Sequence, residues 1–155
     1  MNSSTLAAQV ADPSWVLDPI TAIPDVRLAL IISADGIRVG TYKNADENTV
    51  ETVSAVVSAL HGAGRAAAVN ALGANPRTPI STITVQLDAD PDSGHRTSAG
   101  TLMVMPAGAN TNAYIAAAFG PNTPMGIIAQ TMAKQAKNLG ERLMAVSARN
   151  DGPAS

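Results

Sequence analysis

Few side chains in this sequence could do chemistry, and their spacing decides what they can do. Histidine occurs only at His61 and His95. A hydrolytic set would pair one of them with a serine and an acid, but no Gly-x-Ser-x-Gly elbow is present to expose a serine. A two-histidine metal site would need acids at helical spacing around His61, and none is there. The acidic run Asp88-Ala89-Asp90-Pro91-Asp92-Ser93-Gly94 opens like a calcium loop. It fails at its sixth position, which is Ser93, and at its twelfth, which is Ala99. A solvated turn accounts for it better. Gly62-Ala63-Gly64-Arg65-Ala66-Ala67 superficially matches a dinucleotide fingerprint, but that motif must follow a strand and open a helix. Here it lies deep inside a helical pattern. No Gly-Lys-Ser/Thr phosphate loop occurs, so the chain is not read as a GTPase itself. Arg27, Arg38 and Arg65 could reach a phosphate carried by a partner, although a solvated arginine is the commoner role. With no cysteine, disulfides, thiolate metal sites and cysteine nucleophiles are excluded. The expectation is no intrinsic catalysis, no cofactor and no metal.

Composition narrows the class further. The length of 155 residues suits one domain with a real core. Hydrophobic residues are 46% of the chain, yet no apolar run approaches the ~20 residues of a membrane span. Charged residues are 14%, well under the roughly 25% usual for soluble domains, which hints at a surface covered by a partner. A net charge of −2 with no basic cluster offers nothing to nucleic acid or to anionic lipid. Residues 1–11 contain no Lys or Arg and lack the regions of a signal peptide, so Asn2-Ser3-Ser4 is not read as a glycosylation acceptor. A cytoplasmic location is expected.

The elements that must position these residues follow from periodicity. Asp12-Pro13 opens a first helix, with Trp15, Val16, Ile20 and Ile23 on its apolar side, and Pro19 should kink or shorten it. Residues 26–33 alternate as a strand, with Val26, Leu28, Leu30 and Ile32 on one face. Asp35-Gly36 supplies a tight turn into a second strand over 37–42. Asp46 caps a long helix reaching about residue 72, and acids follow in its first turn. Along it Val50, Val53, Val57, Leu60, Gly64, Ala67 and Ala71 recur at steps of three and four and form a packing seam. Strands are expected at 80–88, 99–105 and 113–119, with Ile83, Val85 and Leu87 sharing one face of the first. A last helix over about 125–146 places Met125, Ile128, Met132, Leu139 and Leu143 inward. The predicted fold class is α+β, a five-stranded, mainly antiparallel sheet sandwiched by helices in the order α-β-β-α-β-β-β-α. The predicted organisation is a flexible lead over 1–11, one domain over 12–146 and a disordered tail over 147–155.

Residues 26–36, Val-Arg-Leu-Ala-Leu-Ile-Ile-Ser-Ala-Asp-Gly, resemble the first hairpin of roadblock (dynein light-chain type) domains, where a strand ends in Ser-x-Asp-Gly. The alanine-rich helix after it, the strand Gly100-Thr101-Leu102-Met103-Val104-Met105-Pro106-Ala107-Gly108 and the helix start Pro124-Met125-Gly126 continue the likeness, from about Trp15 to Leu143. Pro19 and the long polar turn over 88–99 depart from it. The resemblance implies a roadblock/profilin-like architecture. It also implies a homodimer built by the third strand and the long helix, and a helix platform for a small Ras-like GTPase in bacterial signalling or polarity control. A sensor kinase is a further implied partner. On that reading Val53, Val57, Leu60, Gly64, Ile83 and Val85 form the dimer interface. The polar stripe Glu51, Ser54, Ser58, His61 and Arg65 is the expected GTPase-docking surface. Any GTPase-activating effect would act on the partner. The alternative is a small-ligand-sensing or signalling-scaffold module of profilin-like fold. A sizeable apolar cavity between sheet and helix would favour that alternative, and the alanine- and valine-rich faces argue against one.

Overall fold

The computed structural model describes residues 12–34, 36, 38–41, 45–89, 92, 99–108 and 112–150. The elements run α1 (Ser14–Thr21), β1 (Val26–Ser33), β2 (Arg38–Thr41), α2 (Glu47–Leu72), β3 (Ile83–Leu87), β4 (Gly100–Pro106), β5 (Ala113–Phe119) and α3 (Met125–Asn150). This is the predicted order. The expected lead over 1–11, residues 151–155 of the expected tail, His95 and most of the turn over 88–99 lie outside the described residues.

Local chemistry sets the helix ends. The Asp46 carboxylate accepts from the Thr49 backbone N–H at 2.9 Å and from the Thr49 hydroxyl at 2.8 Å, filling the cap predicted for it. At the other end Gly73 adopts a left-handed φ of 62°, which lets the Ala74 N–H reach back to the Val69 carbonyl at 3.0 Å. Asp12 accepts from the Ser14 N–H at 3.0 Å and so starts α1. Pro19 does not break α1, but the helix ends at Thr21, within a turn of it. Helix α3 passes the expected end at residue 146 and continues to Asn150.

Five antiparallel strands form one sheet in the order β2-β1-β5-β4-β3. Strand β3 is therefore an edge, the position that pairing through the third strand requires. The opposite edge, β2, is four residues long and its pairing with β1 slips register between Ile31 and Ile32. Pro13 lies against it: a Cβ added to Gly40 would come within 2.6 Å of the Pro13 Cβ. Helices α1 and α3 cover one face of the sheet, where Leu17, Ile20, Ile31, Ile115, Ile128, Met132, Leu139 and Leu143 are fully or almost fully buried. Each such side chain stabilises the fold by ~1.5–3 kcal/mol of transfer free energy. Helix α2 covers the other face, over Leu30, Ile32, Val104, Tyr114 and Ala116.

Two inward-facing predictions are corrected. Val26 does not share a face with Leu28, Leu30 and Ile32. A register shift between Val26 and Leu28 inserts a residue into the ladder and turns Val26 to the α1/α3 side. Met125, at the first turn of α3, is 43% exposed, because the buried stripe of the helix begins at Ile128.

Candidate functional site

Helix α2 is the element on which the expected sites converge, and its rotation about its own axis decides what each residue can touch. Of its 26 residues only Val50, Ser54 and Val57 are buried. Ser54 satisfies its hydroxyl against the Val50 carbonyl at 2.7 Å, four residues back in the same helix. Its neighbour Ser58 is half-buried and donates to the Ala34 carbonyl at 2.6 Å, tying the helix to the end of β1. One turn on, the Tyr114 hydroxyl and His61 Nδ1 lie 3.2 Å apart, and the two rings sit 4.7 Å apart in a tilted arrangement. Arg65 donates from Nη2 to the Pro76 carbonyl at 2.7 Å, pinning the loop that follows α2.

The polar stripe expected to dock a GTPase is thus turned mostly inward. Glu51 alone of the five is exposed. Ser54, 1% exposed, is not available to a partner, and Ser58, His61 and Arg65 face the sheet or the loop over 74–82. Of the expected dimer residues, Val57 is 1% exposed and belongs to the core under its own helix. Val53, Leu60, Gly64 and Ile83 are half-buried along the flank, and Val85 is exposed.

The outward face of α2 carries Ala55, Val56, Ala59, Ala63, Ala66 and Ala67, all exposed. From Thr52 to Gly64 the sequence has no Asp, Glu, Lys or Arg. An exposed helix face normally carries charge, so this gap was the available signal for these residues. Beyond the flank of the helix, edge strand β3 presents Val85 and Leu87, the latter 62% exposed. The small apolar face and the unpaired strand edge both depart from an ordinary solvated surface.

Beneath the second half of α2 the layers separate. A cleft of about 360 Å³ opens between the helix, the segment 79–81 and the β4–β5 end of the sheet, and His61, Arg65, Ser81 and Tyr114 line it. A second hollow of about 390 Å³ adjoins it and shares Arg65, Pro79, Ile80 and Ser81. Burial, aided by the Arg65 charge, pushes the His61 pKa down and favours neutral imidazole. Burial pushes Tyr114 up, so its hydroxyl keeps its proton. No group of three metal-ligating side chains occurs among the described residues.

Residues 15–78 match the model of the Roadblock/LC7 domain. The solved Roadblock/LC7 domain from Streptomyces avermitilis aligns with a TM-score of 0.69 at 21% identity, over 86% of this chain and 98% of that one. The chain has the fold of roadblock domains. The gliding protein MglB from Thermus thermophilus has the same fold, with a TM-score of 0.69, 18% identity and coverage of 89% and 93%. An MglB structure with a tetrameric arrangement aligns at a TM-score of 0.70, 18% identical, over 89% and 92%. None of the curated proteins matches the sequence. The matched roadblock segment spans α1 through α2 and so contains the hairpin and the long helix that carried the resemblance.

Proposed function

We propose that this roadblock protein is a homodimeric regulator or scaffold that binds a small Ras-like GTPase, without catalysis of its own. The observations that carry this reading are the outer face of α2, free of charge from Thr52 to Gly64, and the open edge of β3. Strand edges left unpaired recruit another strand, and an exposed apolar patch beside one marks an association surface. A two-fold pair would set β3 against its copy and the Ala55–Ala63 side of α2 against its own counterpart. The interface is therefore shifted from the seam read in the sequence: Val56, Ala59 and Ala63 replace Val57, while Val53, Leu60, Gly64, Ile83 and Val85 stay at its margin. Among the described residues no helix is long and apolar enough to cross a membrane. That agrees with a protein working in the cytoplasm, where a GTPase and a sensor kinase would meet it.

Light scattering at micromolar concentration should return twice the chain mass, and the double variant Val56→Asp with Val85→Lys should return a single chain with an unchanged circular dichroism spectrum. A monomeric wild type would remove the dimer from the reading. For the partner, calorimetric titration with the cognate GTPase should show one GTPase per two chains, and Glu51→Arg should weaken it. A GTPase that binds the monomeric double variant as tightly as the wild type would place docking away from the paired helices.

A further inference from the structure

The half-buried polar cluster under the second half of α2 has no part in pairing or docking. Arg65 is its centre. Its Nη2 is occupied by the Pro76 carbonyl, but its Nε is buried with no hydrogen-bond partner among the described residues. A buried guanidinium donor left unpaired is costly, and such groups are normally satisfied. Arg65 also lines the cleft of about 360 Å³, within the lower part of the range of small-molecule sites. The other polar side chains lining it are the His61 imidazole, the Tyr114 hydroxyl, Ser81 and Asn112, and no carboxylate is among the described lining residues. Pro79, Ile80 and Pro106 give it apolar wall.

We propose that this cleft binds a small monocarboxylate with a compact, partly apolar body, its carboxylate on Arg65 and its body between the Tyr114 and His61 rings and the proline-lined wall. The charge balance selects a carboxylate over a phosphate. Among the described residues Arg65 is the single cation in the lining, and neutral His61 adds none, so one negative charge is matched and two are not. A carboxylate oxygen accepts from a guanidinium with a short, charge-assisted bond. It gives the Arg65 guanidinium an anionic partner, which no described residue supplies. The site rests on residues distinct from the outer face of α2, so it stands or falls independently of the GTPase reading.

Benzoate is the probe, with inorganic phosphate as comparator, followed by NMR of the His61 ring and the Tyr114 ring in the full chain. Benzoate should shift both rings saturably, and it should raise the His61 pKa, since an added anion favours imidazolium. Arg65→Gln should weaken benzoate at least about tenfold, and Arg65→Lys, which keeps the charge without the fork, should fall between. Asn70→Ala, at an exposed position of α2 outside the cleft, leaves the guanidinium and the lining in place and guards against a folding artefact. It should keep benzoate within a few-fold of wild type while its melting curve matches. A linear, non-saturating response to benzoate overturns the proposal, as does equal binding by a folded Arg65→Gln. Phosphate binding tighter than benzoate overturns the assignment to a carboxylate.

Discussion

The two faces of the sheet are covered to very different standards. On one, α1 and α3 bury a continuous apolar layer from Val16 to Leu143, and Ile31, Ile115, Met132 and Leu139 have no exposed surface. On the other, α2 seals only its first half. Val50 and Val57 close over Leu30, Ile32 and Val104, whereas from His61 onward the helix stands over a cleft and turns alanines to solvent. The first face is finished within one chain. The second is finished only in part, and it carries every interaction surface proposed for this protein. The same sheet can thus be rigid and receptive at once, because stability and recognition are drawn from opposite sides of it.

Substitutions that strike one face and spare the other test this contrast. The largest effect belongs to Leu139→Ala, which should cost ~2–5 kcal/mol in denaturant unfolding through lost contacts and an unfilled space. A loss below that span would mean the α3 side can collapse to fill the hole, and the two faces would differ less than their burial says. At the end of α2, Gly73→Ala forces a side chain into φ 62° and should cost on the order of 1 kcal/mol. A neutral result would show that the loop after the helix reshapes freely. Val56→Ala, at a position 57% exposed, should change unfolding by under ~0.5 kcal/mol in dilute protein. At high concentration the gap to wild type should widen, because pairing adds stability by mass action. Concentration-independent melting of both proteins would leave Val56 as an ordinary surface residue.

The smallest effects are set by pH. His61 has a folded pKa below its ordinary value of 6.5, so the unfolded chain takes up the proton first as pH falls. Stability contributed by neutral His61 is present above 6.5 and declines below it until the folded pKa is passed. Melting between about pH 5 and pH 7 should show that decline in the wild type and a shallower one in His61→Gln. Parallel curves would place the ring in free solvent. Asp46 runs the other way. Its folded pKa is held below 3.8, chiefly by the Thr49 backbone N–H and then by the Thr49 hydroxyl, so its capping contribution is complete above 3.8 and fades as pH falls. Asp46→Asn should melt slightly lower than wild type at neutral pH and converge with it in acid.

The order of elements, the Asp46 cap and the α2 end near Leu72 were legible in the sequence, because caps, turns and strand alternation are written in neighbouring residues. The rotation of α2 was not. Val50, Val57, Gly64 and Ala71 repeat every seven residues, and a straight helix drifts from that repeat by about 20° per heptad. Val50 and Val57 therefore reach the sheet, Gly64 lies on the flank, and Ala71 is exposed. Alanine all round the helix left too little contrast to reveal the drift. The cleft was hidden for a related reason. Small faces imply close layers, but the layers part where the loop over 74–82, pinned by Arg65, returns to the sheet, and that is a long-range contact no local pattern encodes.

The unlike edges of the sheet also bear on how far self-association can proceed. A sheet open at both sides can add copies without limit, as fibres do. Here β2 is short, slipped in register and lies against Pro13, so it makes a poor template, while β3 is long enough to pair with its own copy. Joining through β3 about a two-fold axis, as proposed, would use up the more receptive edge of each chain. The product would be a continuous sheet of double width with a blunt strand at either end, and its growth would stop at the pair.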